Sequence, residues 1–475
     1  MIPWHEFESI YSKKLAQSGM GAPALSIQIA LGALIIKERL GTSDEETVEQ
    51  IRENPYLQYF IGLAEFSKEI PFDPSMFVHF RKRLDKDIVQ QVNKRIVELA
   101  GEKQCSDNKD DNDNEKPDSD GNNKGKLIID ATCAPADIAY PTDLNLLSSA
   151  REKAEKIIDT LHKPLKGKVA KPRTYRKNSH KEYLKAAKSR RLTARARRAA
   201  VGKQLRYLRR NLKHVNKLLD SHEKGLKLLS SKQYRDLLVI NELYRQQEIM
   251  FKQRSSRIDD RIISISQPHV RPIVRGKAKA KTEFGAKISA SVIDGYTFID
   301  LISWDSFNES ERLIKQVEKF HETYGHYPES VHADQIYRNR NNLKFCKERG
   351  IRLSGARLGR PPKVTDENRA ELEAAKLLTR QDELDRIEIE GKFGQAKRRF
   401  SMNLVMAKLA ETSECAISIT VLVMNLEKWM KSIFLYLYYS LLKAGFYHAY
   451  SKAGQYFCYI ANRHRALANK LTIYC

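Results

Sequence analysis

The sequence predicts a mixed α/β protein of the α+β kind, a mixed sheet with helices packed on it, and three observations carry that prediction. From residue 126 onward, short β-rich runs alternate with amphipathic helical patterns, in the order β, long insertion, β-β-α-β-α-β and a last helix. Two of the runs, "KLIID" and "ESVHAD", end in an acid, the form of a buried strand that delivers a carboxylate from its C-terminal end. The first 105 residues, by contrast, carry helical periodicity alone.

Taken in order, residues 1–105 predict a small helical domain. "ALSIQIALGALIIKERL" is apolar at helical spacing, "SDEE" from Ser43 is a capping box, and Asp73 can cap a helix opening at Pro74, with Phe77, Phe80 and Leu84 on one face. Residues 106–126 contain almost nothing that can be buried and predict a solvated acidic linker; the order of ligands that a calcium loop needs is missing. Residues 127–428 predict the α/β domain, split by a basic helical insertion at 150–262, and 429–475 an aromatic helical extension. Within the α/β domain, Asp294-Gly295 marks a hairpin, "ESERLIKQVEKFHETYG" an amphipathic helix, and "RNNLKFCKERG" a helix stopped by Gly350 before the strand "IRLSG". In the insertion, Leu205, Leu208, Leu212, Val215 and Leu219 follow 3-4-3-4 spacing and predict a helical hairpin or coiled coil.

Charge points to the partner. The chain of 475 residues carries a formal net charge of +25, and residues 163–213 hold 20 Lys and Arg against one acid, Glu182. So many uncompensated cations repel one another and are better explained by contacts to phosphates; Arg190, Arg191, Arg197 and Arg198 lie in the densest part. Six cysteines without a CxxC pair argue against a zinc ribbon and a disulfide framework and fit a reducing cytoplasm. The longest aromatic-aliphatic run, 432–442, is too short to span a bilayer, and no membrane role is expected.

The helix "RIEIEGKFGQAKRRF" (386–400) can be ranked by projection at 100° per residue. Arg386, Glu390 and Lys397 form one polar ridge beside an apolar stripe of Ile389, Phe393, Ala396 and Phe400, whereas Glu388 falls on the far side. Alone, Arg386 and Glu390 would be an ordinary i,i+4 pair. Asp130 and Asp334 at two strand ends change the weighing: three converging carboxylates repel unless a divalent cation binds between them. Oxygen-only ligation suits Mg2+ or Mn2+, and two such ions can serve phosphoryl transfer.

These residues resemble the DDE transposases of bacterial insertion sequences, in particular the insertion-sequence-five group. "IIDATCAPADIAYPTDLNLL" is similar to that group's first-aspartate region, "HADQIYRNRNN" to its second and "RIEIEGKFGQAK" to its glutamate helix, while "RENPYLQYFIGL" and "FDPSMFVHFRKRL" are similar to its N-terminal helical domain. Arg386, Glu390 and Lys397 match the helix signature in type and spacing; Glu383 stands where the family has Tyr, and Ile336 where it has Gly. The resemblance implies an RNase H-like catalytic domain and a catalytic, metal-binding triad of Asp130, Asp334 and Glu390. It further implies Arg386 and Lys397 on DNA phosphates, two Mg2+ or Mn2+ ions, terminal inverted repeats and target DNA as partners, a homodimer at synapsis, and action in the cytoplasm at the nucleoid. The rival readings are a non-catalytic DNA-binding protein derived from a transposase, and a nuclease of the same fold that cuts without joining.

Weaker signals keep two readings each. Arg360 in "LGRPPK" is a minor-groove hook or part of a Pro-terminated loop; Trp304 stacks on a flipped base or fills the core; His332 is a ligand or a packing residue. Asp137 and Asp143 support the site from behind or shape a turn and a cap.

Overall fold

The computed structural model describes residues 2–13, 24–107, 123–221, 225–274, 282–356, 358–359, 365–366 and 368–438. Its N-terminal part is helical: α1 (Trp4–Ser12), α2 (Ile27–Leu40), α3 (Asp44–Glu53), α4 (Pro55–Phe60) and the long α5 (Met76–Asp107), kinked at Asp85. Ser26, Ser43 and Asn54 each accept a hydrogen bond from a first-turn amide, which fixes where α2, α3 and α4 begin. Asp73 accepts from the Ser75 amide at 2.8 Å, and the regular helix starts at Met76, two residues later than Pro74. Most of the acidic linker lies outside the described residues.

Among the described residues the sheet has six strands, β1 (Lys126–Pro135), β2 (Arg271–Val274), β3 (Thr282–Ile293), β4 (Tyr296–Ser303), β5 (Ser330–His332) and β6 (Arg352–Leu353). Their order is β2-β3-β1-β5-β6, with β4 also paired to β3. β1 runs antiparallel to β3 and parallel to β5, and β5 parallel to β6. Asp294 and Gly295 both have positive φ, 50° and 73°, which matches the twist of a two-residue hairpin between β3 and β4. Gly285 is required where β3 crosses β1, because a Cβ there would collide with the Ala134 carbonyl.

Alternation along β1 assigns the two faces. Leu127 and Ile129 pack with Leu313, Val317 and Phe320 of α10 (Leu313–Tyr324) and Phe345 of α11 (Arg340–Glu348). Ile128 packs with Val292 and with Ile389 of α12 (Arg369–Arg399). On that same face Ala286, Ile288 and Ala290 share one core with Ala396 and Phe400 of α12, with Leu422 and Met424 of a helix over 410–438, α13, and with Leu31, Phe77 and Ile96 of the N-terminal helices. The helix that carries the start of the expected extension therefore begins at 410 and is buried for its first half. Its last turns expose Phe434, Tyr436 and Tyr438, and 439–475 lie outside the described residues.

Between β1 and β2 the described residues form four α-helices rather than a hairpin: α6 (Asp143–His162), α7 (Arg176–Ala187), α8 (Ala194–Asp220) and α9 (Ser231–Gln253). The leucine ladder of α8, with Leu205, Leu208, Leu212 and Val215 buried, leaves an apolar side that α9 alone does not cover; Leu147, Ala154, Ile158 and Leu161 of α6 close it. At the neck, Asp143 accepts from Gln247 (2.8 Å) and Arg261 (2.7 Å), and the Asp137 carbonyl from Gln267 (2.9 Å). Among the described residues no helix is long and apolar enough to cross a membrane.

Candidate active site

Strand register brings the two aspartates together. β1 and β5 are parallel neighbours with Ile128 opposite His332, and Asp130 and Asp334 each stand two residues further on, at the end where β5 stops. Asp334 caps the short turn Gln335–Tyr337, accepting from the Gln335 amide at 2.7 Å. That loop is tied to β6: Arg338 donates to the Leu353 and Ser354 carbonyls, both at 2.6 Å, and the Ala333 amide to Ser354 Oγ at 3.0 Å. Asp130 accepts from its neighbour's amide, Ala131, at 2.7 Å.

β1 runs on past Asp130 to Pro135 because it pairs with β3 along its length, so Asp130 stands within the strand rather than at its end as expected, and α12 is held on the sheet by three polar links. Lys126 of β1 bonds Asp385 at 2.8 Å, and Arg352 of β6 reaches both oxygens of Asp382 at 2.8 Å. The fully buried His332 meets Ser330 Oγ at 2.9 Å and lies 3.5 Å from Asp382, so it is a packing residue between strand and helix. With Ile389 locked into the core, the following residue, Glu390, is exposed and 2.9 Å from Arg386. Lys397 continues that ridge two turns on and is half-buried. Glu388 instead lines a recess with Asp294, Gly295 and Lys428 at the β3-β4 turn, on the other side of α12.

The electrostatics converge on Asp130. Burial pushes its carboxyl up to about 6, Arg386 and the Ala131 amide pull against that, and Glu309 and Asp334 push with it. Arg386 is thus the cation that acts on both Asp130 and Glu390. Among the described residues no three His, Cys, Asp or Glu side chains come close enough to hold a metal. The donor chemistry nevertheless fits a hard divalent ion: every candidate ligand is a carboxylate, and the buried one is crowded by two others. The Tyr337 hydroxyl, wholly buried three residues after Asp334, has no hydrogen-bond partner among the described residues.

Sequence reasoning missed Glu309. It is delivered by the turn Glu309–Glu311 after β4, and no periodicity or motif marks that turn; the lone lysine in the strand run "AKISASVI", Lys287, which bonds Glu309 at 2.8 Å, was the available signal. The other expected groups fall as follows. Arg190 and Arg191 are exposed between α7 and α8, Arg197 is exposed on α8, and Arg198 is packed 4.1 Å over the Phe251 ring. Part of the basic stretch is matched by acids, Lys171 and Arg176 by Asp159 and Lys203 by Glu182. Arg360 lies outside the described residues. Trp304 donates to Glu414 at 2.9 Å and packs edge-on against His269, a core role. Asp143 pairs with Arg261 at the neck of the insertion, and the Asp137 carboxylate pairs with Lys408, which follows α12, so each is engaged by a cation of its own.

Residues 331–427 match the family described as Transposase DDE domain, and residues 1–83 the family described as Transposase domain (DUF772). Over 150 residues the chain is 31% identical to "Uncharacterized protein ORF8 in nfe locus" of Rhizobium meliloti, covering 32% of this chain. The chain spans 65% of that relative's length. No solved structure matches.

Proposed function

Since the chain belongs to the DDE transposases of insertion sequences, we propose that it cuts the ends of its own element and joins them to target DNA. The reading is supported by one observation: the parallel register of β1 and β5 makes Asp130 and Asp334 neighbours in the sheet, and Arg386 of α12, which pairs with Glu390, also acts on the Asp130 carboxylate. The sheet, antiparallel through β4, β3 and β1 and parallel through β5 and β6, supports an RNase H-like catalytic layer. Asp130, Asp334 and Glu390 would hold Mg2+ or Mn2+, and two bound ions would activate the attacking oxygen and neutralise the leaving one.

What the chain itself supplies is position and charge. Arg386 is poised to exchange Glu390 for a DNA phosphate, and Lys397 extends the same ridge along the backbone of the substrate. In the first step water bonds to phosphorus at the element's end and the 3'-oxygen leaves with a proton. In the second step that 3'-hydroxyl attacks a target phosphorus and expels the target's own 3'-oxygen. The exposed cations of α8 and the α7-α8 turn offer the polyanion a sequence-independent surface. Synapsis of two ends calls for a homodimer, and the substrate places the reaction at the nucleoid.

Glu390→Gln and Asp334→Asn should each abolish Mg2+-dependent cleavage of the element's terminal repeats while leaving a gel shift on the same DNA intact; full cleavage by either variant sinks the assignment. Precut 3'-hydroxyl ends separate the rivals. Joining to target marks a transposase, cleavage without joining a nuclease, and binding without either a DNA-binding descendant.

A further inference from the structure

Two arginines of the insertion share one aromatic ring. Arg173, in the segment before α7, has its guanidinium 4.7 Å from the centroid of the Tyr175 ring, and Arg210 of α8 has its own 4.6 Å from the same centroid. Both arginines are exposed, and the tyrosine is half-buried. The ring is held there against the preference of its own backbone: Tyr175 takes a φ of 53°, a left-handed conformation that a bulky residue seldom adopts. Its carbonyl accepts from the Ser179 amide (3.0 Å) and the Ser179 hydroxyl (3.1 Å), and the Ser179 carbonyl accepts from Gln204 of α8 at 3.0 Å, with Ser179 and Gln204 both buried. The turn that carries Tyr175 is therefore bolted to the helix that carries Arg210.

An arginine stacked on a tyrosine often does no more than hold two elements together. The charges around this one point further. Neighbouring cations have acids of their own, Lys171 and Arg176 in Asp159 and Lys203 in Glu182, whereas among the described residues no acid pairs with Arg173 or Arg210. The positive field is felt one turn along α8, where burial and then Arg210 and Lys217 lower the pKa of His214. Two like charges drawn to one ring repel, and an anion seated against both relieves the repulsion; the planar guanidinium fork matches a phosphate. With two guanidiniums already on it, the Tyr175 ring is a pedestal for cations rather than a platform on which a base could stack.

We propose that Arg173, Tyr175 and Arg210 form a preorganised clamp for a backbone phosphate of DNA, which fixes where the insertion sits along the duplex. The proposal rests on the reading of the chain as an enzyme of DNA, and it assigns to the insertion a site that acts by position as well as by charge. A loose surface cation loses rotamer freedom when it meets a phosphate; these two have given up much of it beforehand, so the contact costs less to make. Phosphate contacts set register and carry no base sequence.

The test is fluorescence anisotropy of the full chain on a labelled duplex carrying the element's terminal repeat, in chelator so that nothing is cut, at several salt concentrations and with a thermal melt of each variant. Arg173→Ala and Arg210→Ala should each weaken binding and lower the slope of log binding constant against log salt by about 1. Tyr175→Asn keeps every charge and suits a left-handed backbone, so it should stay folded yet bind about 5-fold more weakly, while Tyr175→Phe should bind as the unmodified chain does. Unchanged affinity and slope in the double variant Arg173→Ala, Arg210→Ala overturns the proposal. So does weakening by the arginine variants with none by Tyr175→Asn, because the cations would then act as loose charge. Neither result touches the catalytic reading, which stands or falls on cleavage by Glu390→Gln and Asp334→Asn. If the unmodified chain has no salt-dependent affinity for any duplex, the DNA reading falls and takes the proposal with it.

Discussion

His269 lies edge-on to Trp304 with ring centroids 4.3 Å apart, and burial together with the nearby Arg271 and Arg235 pulls its pKa down to about 4 against the opposing pull of Glu414. Its unfolded value is near 6.5, so between those two values the unfolded chain binds a proton that the folded one refuses. Stability from this group is complete above pH 6.5 and drains away as the pH falls through about 4. The imidazole resonances should titrate near pH 4, and His269→Phe should flatten the decline of the urea midpoint between pH 6.5 and 4. At this scale the sequence was most legible where a helix did the placing. Projection separated Glu390 from Glu388, and the two glutamates do face opposite sides of α12, because the helical repeat fixes angle without any knowledge of neighbours. Glu309 was not legible, since its position depends on Lys287 and Asn342, which belong to other elements and reach it only across the folded sheet.

Helix and strand limits were readable where a residue enforces them: Gly325 and Gly350 take φ of 78° and 67° at the ends of α10 and α11, and Asp294-Gly295 turns the hairpin as expected. The partner of an apolar face was not readable. The ladder in α8 is the same whether one helix or two cover it, and only packing reveals that α6 is the second. A comparable dependence shows in Glu38 of α2. Although buried, it accepts from the Ser401 amide (3.0 Å) and from the hydroxyls of Ser401 (2.7 Å) and Thr420 (2.6 Å), tying the N-terminal helices to the end of α12 and to α13. Glu38→Ala leaves those donors unpaired and should lower unfolding free energy by about 2–4 kcal/mol in urea, with Glu38→Gln recovering part of it.

Across the whole molecule, charge was the plainest signal in the sequence, yet its sum overstated what faces solvent. Asp159 takes up Lys171 and Arg176, Glu182 takes up Lys203, and Arg198 is spent on Phe251, leaving Arg190, Arg191 and Arg197 among the exposed cations. Replacing those three by Ala should leave the melt unchanged and reduce the slope of log binding constant against log salt by about 3, equally for specific and unrelated duplexes. The insertion that carries them also sets a timetable. β1 pairs along its length with β3, whose residues lie beyond all four inserted helices, so during synthesis at about 5–20 residues per second "LIIDATCA" waits on the order of ten seconds or more for its neighbour. In that interval the bundle can close on itself, and Asp143, gripping Gln247 and Arg261, brings its two ends together. The long closure that would otherwise slow the sheet is thereby reduced to a short one, and the strand that bears Asp130 is given its partner by a splint already folded.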